Sequence, residues 1–169
     1  MSDLEQLIKR CKRKDRKAQQ ILYERYASLM LGICMRYAYD QAEAEDMLQE
    51  GFLKIFLNIN DYEGKGSFEG WMKRVIINTA ITAYNKNKKA HNYEDIEEVK
   101  DEEARENITP DEDMNVQELY QLIARMPEGY RVVFNLYAIE GYKHKEISEK
   151  LNIDINTSKT QYLRARHWI

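Results

Sequence analysis

Apolar residues recur along most of the chain at three- and four-residue intervals, the spacing that gathers them on one face of an α-helix, and stretches that alternate residue by residue are few. After Asp15, a residue type suited to capping, Ala18, Ile21, Leu22, Arg25/Tyr26, Leu29, Ile33 and Tyr37 trace a long amphipathic helix. Asp40 with Glu43 three residues on has the form of a capping box, and Ala44, Met47, Leu48, Gly51, Phe52, Ile55, Phe56 and Ile59 follow as a continuous apolar stripe. Ser67 is placed to cap another helix, with Phe68, Trp71, Met72, Val75, Ile76, Thr79, Ala80 and Ala83 on its inner face. Further on, Val116, Leu119, Tyr120, Ile123 and Met126 predict a short helix. Pro127 suits the first position of the next, with Tyr130, Val133, Phe134 and Tyr137 inward and Gly141 at its end.

The last stretch predicts a helix-turn-helix. A helix over His144 to Leu151 is followed by a turn at Asn152-Ile153-Asp154 and a final helix from about Asn156. Ile147, Leu151, Ile155, Ser158, Tyr162 and Ala165 form the small core that fixes the crossing angle. Asn156, Lys159, Thr160, Leu163 and Arg164 are left outward. Asn, Lys and Arg supply donors to base edges, Thr and Leu offer contact to a thymine methyl, and the cations neutralise phosphate. An ordinary small bundle with a basic outer face satisfies the same pattern.

Composition narrows the class. Seven Gly and two Pro among 169 residues, with 43% hydrophobic content, suit an all-α protein of one ordinary domain or two small ones. The formal net charge of −3 argues against nucleic acid until it is divided along the chain. Residues 1–90 carry 16 Lys and Arg against 12 Asp and Glu, residues 116–169 carry 8 against 6, and residues 91–115 carry 2 against 11. The acidity therefore lies in one stretch with few apolar residues, which reads as a solvated linker. The predicted organisation is two small helical domains, 1–90 and 116–169, joined by the acidic linker 91–115.

Several functions are argued against. No apolar run approaches the roughly eighteen residues of a membrane span, and Met1-Ser2-Asp3-Leu4-Glu5 lacks the apolar core of a signal peptide, so a cytoplasmic protein without membrane insertion is expected. Cys11 and Cys34 lie in helical patterns without CxxC spacing and read as two reduced thiols. Gly64-Lys65-Gly66-Ser67 lacks the GxxxxGK[ST] spacing of a phosphate loop, and His144-Lys145-Glu146 belongs to neither HExxH nor a deaminase motif. No catalytic residue, cofactor or metal is expected, and His144 reads as an exposed polar residue at a helix start.

Two outer faces remain to be explained. On the helix with the continuous stripe, Asp46, Gln49, Glu50, Leu53 and Leu57 align at helical spacing, placing leucines beside carboxylates. Such a face serves equally as a second packing surface or as a partner-binding surface. On the following helix Lys73, Arg74, Asn78, Thr82, Asn85, Lys86, Lys88 and Lys89 make a polar, basic face, which charge alone explains as a solvated helix end or as a nucleic-acid contact.

Taken in order, four segments resemble the extracytoplasmic-function group of bacterial RNA polymerase sigma factors. They are Ala44-Glu45-Asp46-Met47-Leu48-Gln49-Glu50-Gly51-Phe52; Phe68-Glu69-Gly70-Trp71-Met72-Lys73-Arg74-Val75-Ile76-Ile77-Asn78-Thr79-Ala80; Met126-Pro127-Glu128-Gly129-Tyr130-Arg131; and Glu140-Gly141-Tyr142-Lys143-His144-Lys145-Glu146-Ile147, running on to Asn156-Thr157-Ser158-Lys159-Thr160-Gln161-Tyr162-Leu163-Arg164-Ala165-Arg166. The resemblance spans nearly the whole chain. It implies that Asp46, Gln49, Glu50 and Leu53 dock on a coiled coil of the polymerase's largest subunit. It implies that Asp61, Tyr62, Lys65, Ser67, Phe68, Lys73, Arg74 and Asn78 open the minus-ten promoter element and capture an extruded base. It places Asn156, Thr157, Lys159, Thr160, Leu163 and Arg164 on the duplex minus-thirty-five element, and it implies core RNA polymerase, promoter DNA both duplex and melted, and an anti-sigma factor as partners. Asn156, Ser158, Thr82 and Asn85 depart from the residues usual in the group, which bears on the promoter sequence rather than on the activity. Other classes fit parts of the pattern: a free-standing helix-turn-helix regulator that binds symmetric half-sites, or an interaction adaptor whose basic faces are merely solvated.

Overall fold

The computed structural model describes residues 2–91 and 115–169, and every regular element among them is helical. The acidic stretch predicted as a linker lies, apart from its two ends, outside the described residues. Packing divides the chain into two compact units, Met1–Ala80 and Ile81–Ile169, so the division falls within a helix.

Unit 1 opens with a helix absent from the sequence expectations, α1 (Asp3–Lys12). Ser2 Oγ accepts from Glu5 N at 3.1 Å and Glu5 returns a carboxylate to Ser2 N, a reciprocal cap that satisfies donors the helix cannot bond internally. Leu7, Ile8 and Cys11 are its buried residues, and Arg25 pairs with Asp3 at 2.9 Å to tie it to α2 (Arg16–Tyr37). Asp15 caps α2 through Lys17 N and Ala18 N. On α2, Ala18, Leu22, Ile33 and Tyr37 are buried as the stripe predicts, but Ile21 and Leu29 are exposed. They stand on the flanks of a helix whose buried arc is completed by Met30 and Cys34.

Asp40 Oδ1 accepts from Glu43 N at 2.8 Å and starts α3 (Gln41–Asn58), whose Ala44, Met47, Leu48, Gly51, Phe52 and Ile55 are buried. A methyl group on Gly51 would run into Ile76 of α4 (Phe68–His91), so the glycine permits the close approach of the two helices. A short 3-10 turn, Ile59–Asp61, leads from α3 towards α4. Of the inner face predicted for α4, Phe68, Met72, Ile76, Thr79 and Ala80 are buried, whereas Trp71, Val75 and Ala83 are half-buried; Ile77 is buried as well.

Unit 2 begins with the last turns of α4, where Ile81 and Tyr84 are buried and Asn85 Nδ2 donates to the Lys150 carbonyl at 3.0 Å. Burial pushes the Tyr84 hydroxyl up to about 12, with Glu128 adding to the rise and Arg131 opposing it. Asn115 and Glu118 form a capping box for α5 (Val116–Arg125). Pro127 is the cap of α6 (Glu128–Phe134) rather than its first residue, and a π-helical turn follows over Asn135–Ile139. Ile123, Met126, Tyr130 and Ala165 form a buried cluster with Leu119, Phe134, Trp168 and Ile169 packed against it. Val116 and Tyr137, expected inward, are exposed: Val116 is the first residue of α5, and Tyr137 lies in the π-helical turn beyond the end of α6.

The chain ends in α7 (His144–Leu151) and α8 (Ile155–Trp168). Asn152, at φ 54°, adopts the left-handed conformation that stops α7, and Ile153 N closes the turn on Ser148 O. Ile147, Leu151, Ser158 and Ala165 pack inward as predicted, Tyr162 is half-buried, and Ile155 is exposed because it is the first residue of α8.

Candidate functional site

Three surfaces carry the residues singled out by the sequence. The first is the outer face of α3, where Asp46, Gln49, Glu50 and Leu53 are all exposed. Leu53 and Leu57 are 59% and 71% exposed, so unit 1 does not use this face for its own packing. Gln49 is oriented by α2: its Nε2 donates to Tyr23 Oη at 3.1 Å, and the Tyr23 ring meets Phe52 edge-on at 4.8 Å. An acidic, partly apolar helix face of this kind matches a basic, partly apolar protein surface.

The second surface is the loop between α3 and α4. Gly64 and Gly66 take φ of 82° and 76°, a left-handed backbone that side chains with a Cβ rarely adopt. Tyr62 Oη donates to the Gly66 carbonyl at 2.6 Å and closes the loop on itself. The Tyr62 ring stands 5.0 Å from Phe68 and 5.9 Å from Trp71, and Phe68 stacks on Trp71 at 5.6 Å. Ser67 Oγ accepts from Gly70 N at 3.2 Å and starts α4.

Asp61, Lys65 and Ser67 are exposed and Tyr62 is half-buried, but Phe68 is only 3% exposed. Phe68 thus supports the cluster from the core, and the half-buried Trp71 is the larger accessible ring, a residue that periodicity had assigned to packing. Lys65 pairs with Glu63 at 3.5 Å and Lys73 with Glu69 at 3.7 Å, while Arg74 and Asn78 are exposed on α4. A polar loop over aromatic rings, flanked by cations, offers stacking and edge hydrogen bonds to an unpaired base and charge to its backbone.

The third surface is α8. Asn156, Lys159, Thr160 and Leu163 are exposed, and Thr157 and Arg164 are half-buried. Thr160 Oγ1 donates back to the Asn156 carbonyl at 2.8 Å. His144, expected to be a freely exposed polar residue, is instead half-buried: its Nδ1 lies 2.8 Å from the fully buried Ser158 Oγ and its ring stacks on Tyr137 at 4.2 Å. A serine at a buried position of α8 needs a polar partner, and the first residue of α7 supplies it. Burial holds the imidazole below its ordinary value of 6.5, with Lys159 pushing the same way.

No described helix is long and apolar enough to cross a membrane. Comparison with known sequences gives two family matches: Sigma-70 region 2 over residues 22–90 and Sigma-70, region 4 over residues 116–169. The RNA polymerase sigma-H factor of Pseudomonas aeruginosa is 29% identical over 98% of this chain and 91% of its own length. The ECF RNA polymerase sigma-E factor of Haemophilus influenzae is 27% identical over 96% of this chain and 91% of its own length. A solved sigma factor from Bartonella quintana, crystallised with its anti-sigma factor NepR, aligns at 16% identity over 88% of this chain and 92% of its own, with a TM-score of 0.49. With both regions matched in order and full-length relatives of that kind, the chain belongs to the extracytoplasmic-function group of the sigma-70 family, factors that bind core RNA polymerase and direct promoter-specific initiation of transcription.

Proposed function

We propose a division of labour within this sigma factor. Residues 1–90 act as region 2, which grips polymerase through Asp46, Gln49, Glu50 and Leu53 and opens the minus-ten element with Asp61, Tyr62, Lys65, Ser67, Phe68, Lys73, Arg74 and Asn78. Residues 91–115 form an acidic tether, and residues 116–169 act as region 4, reading the minus-thirty-five duplex through Asn156, Thr157, Lys159, Thr160, Leu163 and Arg164. The observation that carries this reading is the exposure of Leu53 and Leu57 beside Asp46 and Glu50 on a folded unit, a surface whose chemistry calls for a protein partner.

The mechanism is differential binding. Minus-ten DNA opens spontaneously to a small extent, and a site that binds an extruded base more tightly than the stacked duplex raises the population of the open state. The factor works in the cytoplasm and contributes no catalytic group; polymerase performs the chemistry. Membership of this group also supports an anti-sigma factor as an inhibitory partner. Transcription of a randomised promoter library by core polymerase with and without the protein tests the reading. New transcripts starting downstream of paired minus-thirty-five and minus-ten elements are expected. A protein that fails to join core polymerase yet occupies a symmetric DNA site as a pair overturns it.

A further inference from the structure

The loop proposed to capture the base is anchored by a helix that precedes the region matched to the family. Lys12, the last residue of α1, lies outside residues 22–90, and its Nζ donates to the Tyr62 carbonyl at 2.7 Å in a half-buried setting. The anchor itself is firm. Leu7, Ile8 and Cys11 bury the inner face of α1, Arg25 pairs with Asp3 near its start at 2.9 Å, and Arg10 pairs with Asp15 beyond its end at 2.9 Å. A cation at the last turn of a helix is also favoured by the helix dipole, which holds the ammonium where it is used.

Tyr62 is therefore fixed at both ends, its carbonyl by Lys12 and its phenol by the Gly66 carbonyl. Between these bonds the chain passes through two left-handed positions, Gly64 and Gly66, the residue type with most conformational freedom to lose. A charge-assisted hydrogen bond to the residue that starts such a loop limits the arrangements the loop explores before a ligand arrives.

We propose that Lys12 is a positioning residue for base capture: through the Tyr62 carbonyl, α1 pre-organises the 61–67 loop and the Tyr62 ring over Trp71. The inference rests on the reading of this loop as the capture site. It touches no DNA in this role; it lowers the ordering that DNA binding would otherwise require.

The test uses holoenzyme assembled from core polymerase and full-length protein, with a fluorescent minus-ten non-template strand taken from a promoter the library yields. A second strand is identical except for an abasic site at the extruded position. Wild-type holoenzyme is expected to prefer the base-bearing strand by about tenfold or more, the scale of one to a few ordered groups. Lys12→Met is expected to bring this ratio close to one while leaving core affinity and the thermal midpoint unchanged, and Lys12→Arg to restore it. A ratio that survives Lys12→Met overturns the inference and leaves the capture reading standing. A wild-type ratio of one overturns the capture reading and the inference with it. A fall in the ratio accompanied by equal losses of core affinity and thermal midpoint assigns Lys12 to fold maintenance and also overturns the proposal.

Discussion

Helices α3 and α8 are built alike and differ where it matters. Each buries a stripe on one side, Ala44, Met47, Leu48, Phe52 and Ile55 on α3 and Ser158, Gln161 and Ala165 on α8, and each leaves leucine exposed on the other, Leu53 and Leu57 against Leu163. What separates them is the charge around those leucines: Asp46 and Glu50 on α3, Lys159 and Arg164 on α8. The buried stripe decides that a helix forms and where it docks in its own unit, while the sign of the outward charge distinguishes the partners proposed for the two faces. A carboxylate face repels phosphate and suits a basic protein surface; a cationic face suits the duplex.

The largest expected effect comes from inverting that sign on α3. Asp46→Lys with Glu50→Lys is expected to weaken core polymerase binding on the order of a thousandfold, because opposing like charges at an interface cost several kcal/mol. Binding of the intact protein to a minus-thirty-five duplex should be unaffected or slightly strengthened. Equal loss of both activities in titrations with core polymerase and with duplex would break the comparison.

A smaller effect is expected on α8. Lys159→Ala should weaken duplex binding by about tenfold and reduce the dependence of log affinity on log salt by about one, as loss of one phosphate contact does. Fluorescence anisotropy over a salt series checks both numbers. An unchanged slope would place Lys159 on base edges or on nothing, rather than on phosphate.

The smallest effect is pH-dependent and separates the two helices again. His144 joins α7 to α8 through Ser158, and burial favours its neutral form. A base whose folded value lies below its unfolded one contributes full stability above the unfolded value, near 6.5, and loses it as pH falls further. Duplex binding is therefore expected to weaken modestly as pH falls below 6.5, relative to a His144→Gln protein, whereas core binding should show no such difference.

Much of this architecture is legible in the sequence because long helices with one buried face leave a repeating signature. The stripe of α3, the core of the helix-turn-helix and the stop at Asn152 are all predicted by local spacing and turn chemistry. Helix α1 has a weak signature because its apolar residues are few and its ten positions are rich in charge, although Ser2 and Glu5 do spell a capping box. Lys12 and Tyr62 are fifty positions apart, and no local pattern pairs them. His144 is half-buried rather than exposed for a related reason: its setting is made by Ser158 and Tyr137, which only the crossing of α7 over α8 and the turn before α7 bring near. The exposed outward residues of α3 and α8 follow directly from their registers, and Phe68 is buried as the helix period has it, but Trp71, on the same predicted inner face, is only half-buried and packs on Phe68 and Tyr62 beside the loop.

The two sulfhydryls have a practical consequence. Burial pushes Cys11 up to about 11, with Asp15 adding and Arg10 subtracting, and burial pushes Cys34 up to about 12. At neutral pH a group at 11 is ionised in roughly one molecule in ten thousand, and the thiolate is the form that attacks alkylating agents and peroxides. Native unit 1 should therefore be nearly inert to such reagents, and any modification of either sulfur would register an excursion in which α1 or α2 lifts away from its neighbours, giving a built-in chemical clock for the opening of this unit.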